Sequence, residues 1–127
     1  LLYGGEADDF LGGGTGDDTL RGEAGADRLN GGAGNDLAFG GAGADVFIFA
    51  THAAGEFDVV ADFEDGIDRL QLGGVAGQGA LARFEALTIR AVVQDGQPAT
   101  EILHEGHSMV LTGIAPAQLD PGDFIFT

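Results

Sequence analysis

The 127-residue sequence has no cysteine, so no disulfide can hold the fold together and a thiolate zinc site is excluded. It has no lysine and five arginines against 21 acidic residues, which gives a formal net charge of −16. Nucleic acids and anionic membranes bind basic surfaces, so neither is expected as a partner. No apolar run is long enough to predict membrane insertion, and no basic start with an apolar stretch predicts a signal peptide. Among partner classes, these absences favour cations.

Hydrophobic residues nevertheless make up 44% of the chain and include nine Phe, too many for a disordered acidic tail. The length suits one domain. Leu1 to Tyr3 match the last three positions of a repeat, because Leu2 stands nine residues before Leu11. We therefore expect the chain to be a fragment of a longer protein.

What the chain has in abundance is glycine, placed in a nine-residue period. The units read GGEADDFLG (4–12), GGTGDDTLR (13–21), GEAGADRLN (22–30), GGAGNDLAF (31–39) and GGAGADVFI (40–48). The repeated aspartates are Asp9, Asp18, Asp27, Asp36 and Asp45. Glycine holds the first position at Gly4, Gly13, Gly22, Gly31 and Gly40, and the fourth at Gly16, Gly25, Gly34 and Gly43. A fixed period of this kind predicts stacked structural repeats with tight, glycine-dependent turns.

The unit resembles the calcium-binding nonapeptide of RTX (repeats-in-toxin) proteins over all of residues 4–48. The resemblance implies an all-β fold, a right-handed parallel β-roll (β-helix) in which two units make one turn. Each unit then stacks on its second neighbour. Asp9, Asp27 and Asp45 would form one row, and Asp18 and Asp36 the other. The inward side chains, one per unit, would be Leu11, Leu20, Leu29, Ala38 and Phe47.

Rows of carboxylates one strand spacing apart, about 4.8 Å, repel by roughly 3 kcal/mol per pair at an effective dielectric near 20. A hard cation with oxygen ligands would reverse this, and Ca²⁺ takes six to eight oxygens. The pairs Asp9/Asp27, Asp27/Asp45 and Asp18/Asp36 predict three ions, and end sites raise the expectation to three to five. Backbone carbonyls of the first- and fourth-position glycines named above are the expected further ligands. One alternative is a flexible acidic linker, which the in-phase apolar residues disfavour. The other is a Mg²⁺ site, which the carbonyl-rich turns disfavour.

Three departures from the repeat bear on the fold. Ala7 replaces the fourth-position glycine of the first unit, and Glu23 replaces the second-position glycine of the third. Glu23 puts a side chain where the backbone is expected to need positive φ. In the fourth unit, Ala38 is a small inward residue.

The repeat stops after residue 48, and residues 49–127 are predicted to be a β-rich cap on the roll. Strands are expected at 46–49, 58–63, 67–72, 87–93, 100–104 and 108–112, a short helix within 78–86, and a last strand at the C-terminus. Asp58 is a candidate extension of the Asp18/Asp36 row. Asp62, Asp65 and Asp68 are expected to form turns instead.

The runs VFIF, DVVADFEDGIDRLQL and LTGIAPAQLDPGDFIF resemble the C-terminal region of serralysin-type proteases and the R-modules of alginate C5-epimerases. The resemblance implies a secreted bacterial protein, exported by type I secretion machinery that reads an uncleaved C-terminal signal. The function expected is a calcium-binding module that folds outside the cell beside an N-terminal passenger. The R-module likeness supports an alternative, binding of an acidic polysaccharide by Arg21, Arg28 and Arg69 gathered on one face.

No constellation for catalysis stands out. His104 and His107 are three apart across a predicted hairpin turn, unlike the HExxH pair on a helix. Ser108 has no acid or base that the sequence places beside it. We therefore expect no enzymatic activity from this fragment.

Overall fold

The computed structural model describes residues 1–49, 55–75 and 77–127. Odd-numbered strands of the roll are β1 (Leu2–Gly5), β3 (Thr19–Ala24), β5 (Leu37–Ala42) and β7 (Phe57–Val60). Even-numbered strands are β2 (Phe10–Thr15), β4 (Arg28–Ala33), β6 (Val46–Phe49) and β8 (Arg69–Leu72). Each strand pairs in parallel with its second neighbour, so the chain winds between two sheets. The predicted all-β parallel β-roll is confirmed.

The register places equivalent repeat positions side by side. Leu11 pairs with Leu29, Leu29 with Phe47, and Phe47 with Leu70 in one sheet. In the other sheet, Leu20 pairs with Ala38. These side chains point between the sheets and form the core of the roll, where all but the half-buried Ala38 are at most 5% exposed. One apolar side chain per unit is enough because two sheets contribute to the same thin layer.

The cap continues both sheets. The first sheet adds an antiparallel meander of β9 (Thr88–Gln94), β10 (Gln97–His104) and β11 (His107–Thr112), with β11 parallel to β7. The second adds β12 (Phe124–Phe126) in parallel to β8. A short helix, α1 (Ala80–Glu85), packs near β12 through Phe84 and Phe124. The cap is β-rich, as predicted, and it gives the roll a wider apolar core. None of the helices in the described part of the chain is long and apolar enough to cross a membrane.

The strands of the repeats are longer than the last three positions of each unit. Most span six residues, as in Phe10–Thr15, and run on through the first three positions of the next unit. The glycines at the first two positions therefore belong to strands, and only positions four to six remain as turns. Parallel pairing explains the extension, because each added residue satisfies backbone groups of the neighbouring turn.

Glu23 adopts φ of 78°, the left-handed conformation that glycine takes at the same position in other units, such as Gly14 and Gly41. Its carbonyl oxygen lies against Gly41, 2.1 Å from where a Cβ would stand there. Stacking therefore holds Glu23 in a conformation that costs a non-glycine residue roughly 1–2 kcal/mol.

Replacing Glu23 with glycine should relieve this strain. We expect Glu23→Gly to raise the free energy of unfolding by about 0.5–1 kcal/mol at saturating Ca²⁺, after allowing for the greater freedom of glycine in the unfolded chain. Urea unfolding measures the change. Glu23→Gln removes the same charge but keeps the strained side chain, so an equal gain in this control would assign the effect to charge.

Candidate metal centre

Two rows of aspartates lie at the turns on opposite edges of the roll. In the first row, the Asp9 N–H donates to Asp27 Oδ1 at 2.8 Å and the Asp27 N–H donates to Asp45 Oδ1 at 2.9 Å. In the second row, the Asp18 N–H donates to Asp36 Oδ1 at 2.8 Å. The stacking brings together the same partners that the resemblance of the repeat to the RTX nonapeptide implies. One carboxylate oxygen of each later turn thus fixes the backbone of the turn before it.

Both rows extend into the cap. The Asp36 N–H donates to Asp58 Oδ1 at 2.8 Å, and the Asp45 N–H donates to Asp68 Oδ1 at 2.9 Å. Asp68 also accepts the Glu64 N–H, so it forms a turn as expected and ends the first row as well. Sequence reasoning missed that second role because Asp68 stands 23 residues after Asp45, whereas the repeats are 18 apart.

The repeat aspartates and the cap aspartates differ in the surroundings of their second carboxylate oxygen, Oδ2. In every repeat aspartate, Oδ2 is buried and has no hydrogen-bond partner among the described residues. These aspartates are Asp9, Asp18, Asp27, Asp36 and Asp45. In the cap, Asp58 Oδ2 pairs with His107 Nε2 at 2.5 Å and Asp68 Oδ2 accepts the Glu64 N–H. A buried carboxylate oxygen without a partner is costly, so these five atoms need a ligand that the protein itself does not supply.

Glycine is required at these turns because of close approaches between backbone and carboxylate. A Cβ on Gly31 would stand 2.1 Å from Asp36 Oδ2, and one on Gly22 would stand 2.3 Å from Asp27 Oδ2. A Cβ on Gly43 would stand 1.9 Å from the carbonyl oxygen of Gly25 on the preceding turn. Carboxylate and carbonyl oxygens therefore crowd the same narrow space between stacked turns.

The carbonyls that face a neighbouring turn are partly those predicted. Gly22, Gly31 and Gly40 at the first position, and Gly16 and Gly25 at the fourth, present their oxygens across a step. Ala7, Gly14 and Glu23 do so too, although sequence reasoning did not select them. Among the glycines of the described residues, none is closely approached by the predicted carbonyls of Gly4, Gly13, Gly34 and Gly43. A backbone oxygen needs no particular side chain, which explains why residue identity could not locate them.

These oxygens fit a hard divalent cation. No group of three or more His, Asp or Glu side chains converges as a metal cage within the described parts of the chain. The donors available at a step are carboxylate oxygens and several carbonyls, the oxygen set that Ca²⁺ accepts in flexible geometry. Soft metals are disfavoured because the chain has no thiolate.

The charge state of the rows reflects their burial. Desolvation, with a smaller contribution from neighbouring carboxylates, raises the pKa of Asp36 and of Asp45 above the ordinary value. At the capped end of the first row, burial raises the pKa of Asp68 to about 6. Backbone N–H groups that donate to these carboxylates oppose the rise but do not cancel it. Without a cation, these three carboxyl groups therefore hold a proton more tightly in the folded chain than in the unfolded one.

The arginines do not gather on one face. Arg28 and Arg69 flank Val46 in adjacent register on one sheet, and Arg28 Nη2 donates to Gln71 Oε1 at 2.8 Å. Arg21 lies on the other sheet, with its guanidinium 4.0 Å from the centre of the Phe39 ring. The expectation of a single cluster of three arginines is therefore wrong, because odd and even units belong to different sheets.

A family model described as the RTX calcium-binding nonapeptide repeat matches four copies, over residues 1–20 and 12–47. No curated protein sequence matched the chain. The solution structure of the R2 subunit of the mannuronan C5-epimerase AlgE6 from Azotobacter vinelandii is similar, with 29% identity and a TM-score of 0.65. The similarity covers 98% of this chain and 91% of that one.

Two further solved structures share the fold. The R3 subunit of the same epimerase is 27% identical, with a TM-score of 0.59, over 96% of this chain and 80% of that chain. The extracellular lipase LipA from Serratia marcescens is 22% identical, with a TM-score of 0.54. That match covers 98% of this chain but 20% of the lipase, so the likeness concerns one part of a much larger protein.

The raised pKa of Asp68 predicts how the metal-free fold responds to pH. Because the folded chain binds a proton at Asp68 up to about pH 6 and the unfolded chain only up to its ordinary pKa of 3.8, stability should fall as pH rises between these values. The shift corresponds to a loss on the order of 3 kcal/mol. Far-UV circular dichroism in chelator follows it as a residual β signal that decreases from pH 4 to pH 7. Asp68→Asn should flatten the dependence, Asp95→Asn should not, and stability that rises with pH would contradict the prediction.

Proposed function

Because residues 1–47 consist of RTX calcium-binding nonapeptide repeats, we propose that the chain is a non-catalytic module that folds on binding Ca²⁺ outside the bacterial cell. There it supports type I secretion and stability of an N-terminal passenger. The observation that carries this proposal is the set of five buried, unpartnered Oδ2 atoms, one per repeat. In the cap, Asp58 and Asp68 have both oxygens paired, so the unpartnered oxygens belong to the repeat aspartates.

The stacked turns offer five steps at which carboxylates face each other. The three predicted steps are Asp9/Asp27, Asp27/Asp45 and Asp18/Asp36, and the cap adds Asp36/Asp58 and Asp45/Asp68. This geometry supports three to five ions. The side chains of the five repeat aspartates would hold them together with the carbonyls of the stacked turns. Bound Ca²⁺ supplies positive charge and open coordination positions to oxygens that otherwise repel.

The size of the effect is sufficient for a folding switch. With a site dissociation constant near 10⁻⁴ M, typical of extracellular modules, and about 1 mM free ion, each site adds about 1.4 kcal/mol. Three to five sites then contribute on the order of 5 kcal/mol, comparable with the whole stability of a small domain. In cytosol, where Ca²⁺ is scarce, the aspartate rows would keep the chain unfolded and able to pass through an exporter.

The capped end of the rows supports a direction for folding. Asp58 and Asp68 receive their second partners from His107 and Glu64, so the last turn of the roll is closed by protein groups alone. We propose residues 1–48 as the calcium-responsive segment and residues 49–127 as the cap that also carries the secretion signal. A cap that forms first would give Asp36 and Asp45 a template on which the remaining turns close.

A cooperative gain of β structure with Ca²⁺ is the expected outcome of a circular dichroism titration after chelation, with MgCl₂ far less effective. Asp27 belongs to two steps and Asp18 to one. The Asp27→Asn variant should therefore lose more bound ions than the Asp18→Asn variant, and equilibrium dialysis counts the ions bound to each. Asp95→Asn is the matched control in an exposed hairpin turn. A fully folded spectrum in chelator, unchanged by calcium, would overturn the proposal, and equal ion losses would refute the stacking of ligands.

A second candidate function is binding of an acidic polysaccharide, as the likeness to subunits of a mannuronan epimerase suggests. The supporting observation is the outer face of the second sheet, where Arg28 and Arg69 lie in one row with an exposed Phe10. Cationic and aromatic side chains on one open face suit a carboxylated sugar chain.

Titration of the calcium-loaded chain with mannuronan oligomers at low salt tests this candidate by NMR. Shifts should concentrate on the second sheet and disappear in the double variant Arg28→Ala with Arg69→Ala. Arg21→Ala, which removes a charge from the opposite sheet, should leave them in place. An absence of shifts with wild type would remove the candidate.

A further inference from the structure

A second set of side-chain hydrogen bonds crosses the steps between turns, in the opposite direction to the aspartate rows. These bonds come from the fifth position of the repeat, immediately before the row aspartate. Asp8 Oδ1 accepts the Ala26 N–H at 2.7 Å, and Asp17 Oδ1 accepts the Asn35 N–H at 2.8 Å. Asn35 Oδ1 in turn accepts the Phe57 N–H at 2.8 Å. Here the earlier turn supplies the acceptor, whereas in the rows the later turn does.

The fifth-position side chains differ from the row aspartates in their surroundings. Asp8, Asp17 and Asn35 are exposed, so they neither fill the core nor share the buried space of the unpartnered Oδ2 atoms. Asn35 makes the same bond as Asp17 without a negative charge. What the position provides is therefore a hydrogen-bond acceptor aimed at the next turn, and not a charge.

The steps are unequally supplied with these bonds. Asp8 crosses the Asp9/Asp27 step, Asp17 the Asp18/Asp36 step and Asn35 the Asp36/Asp58 step. At the Asp45/Asp68 step, Asp62 accepts the N–H groups of both Gly40 and Gly41.

The remaining step, Asp27/Asp45, has Ala26 at the fifth position. Within residues 1–49, 55–75 and 77–127, no side chain other than the row carboxylate of Asp45 bridges its two turns. This step lies in the middle of the first row, between two steps that have an additional bond.

We propose that the fifth-position side chains are positioning residues, which hold stacked turns at cation-binding distance, and that the Asp27/Asp45 step consequently has the weakest cation site. The inference rests on the proposed function, since it ranks by affinity the cation sites that the function requires. A bond that fixes the carbonyls and carboxylates of two turns lowers the ordering cost of binding, and a step without one bears that cost in full. Binding at Asp27/Asp45 is therefore the last to saturate and the first to be lost.

Competition with a calibrated chelator tests the loss of such a bond, because it gives both the number of ions and their stepwise affinities. Asp17→Ala should leave the number of ions unchanged and weaken one site about three- to tenfold, the effect of one hydrogen bond. Asp17→Asn keeps the acceptor and should restore the affinity to within about twofold.

The converse substitution should strengthen the weak step. Ala26→Asn places an acceptor opposite the Ala44 N–H and should tighten the weakest site about threefold. Ala44→Asn is the matched control, since the Ile67 N–H on the next turn already donates to the Glu64 carbonyl. Backbone amide signals of residues 22–27 and 40–45, which also respond to the neighbouring sites, should complete their shifts last in a wild-type calcium titration and no longer last in Ala26→Asn.

The outcomes separate this inference from the proposed function. If wild type binds no calcium, the proposed function fails. If wild type binds calcium and Asp17→Ala and Asp17→Asn weaken one site equally, charge and not the acceptor matters, and the positioning role is refuted. If Asp17→Ala does not fold, Ala26→Asn decides alone, and an unchanged weakest site there would overturn the inference.

Discussion

The rest of the structure depends on one constraint, the repulsion between like-charged carboxylates that are stacked at one strand spacing inside a folded protein. Asp27, Asp36 and Asp45 each accept a hydrogen bond from the backbone of the preceding turn through one carboxylate oxygen, which ties stacked turns together. In all five repeat aspartates the other oxygen lies buried without a hydrogen-bond partner among the described residues. Packing alone cannot resolve the conflict, because the core contributes one apolar side chain per repeat. A cation that draws carboxylates and carbonyls together resolves it, so folding and binding become one event.

The glycine content follows from this constraint. Carboxylate and carbonyl oxygens approach so closely that even a methyl group at Gly31 or Gly43 would overlap them. Glu23 shows which glycine positions tolerate a side chain at a cost: its φ is strained, but its side chain is exposed. Glycine is therefore needed where the oxygens of stacked turns meet, and another residue is tolerated where its side chain can face water.

The resemblance of the nine-residue units to the RTX nonapeptide was sufficient to predict the roll, its two rows and the partners within them. It failed where spacing changes. Asp68 closes the first row at a distance of 23 residues, so an argument from fixed spacing could only assign it to a turn. The three arginines were predicted to cluster on one face. Arg21 and Arg28 belong to adjacent units, however, and adjacent units contribute to different sheets. The partner of Asp58 in the cap, His107, stands 49 residues away and follows from tertiary packing that no local pattern encodes, whereas Glu64 lies within the turn that was predicted for Asp68.

The lengthened spacings of 22 residues before Asp58 and 23 before Asp68 show that the rows depend on where the chain returns, and not on how far it travels between returns. The connection from β6 to β7 absorbs four additional residues and the connection from β7 to β8 one more, without displacing either row. Loop closure becomes only slowly more costly with length. The connection from β6 to β7 is consequently the natural point for evolutionary insertion, and for grafting of foreign peptides whose display would be controlled by the ion that closes the roll.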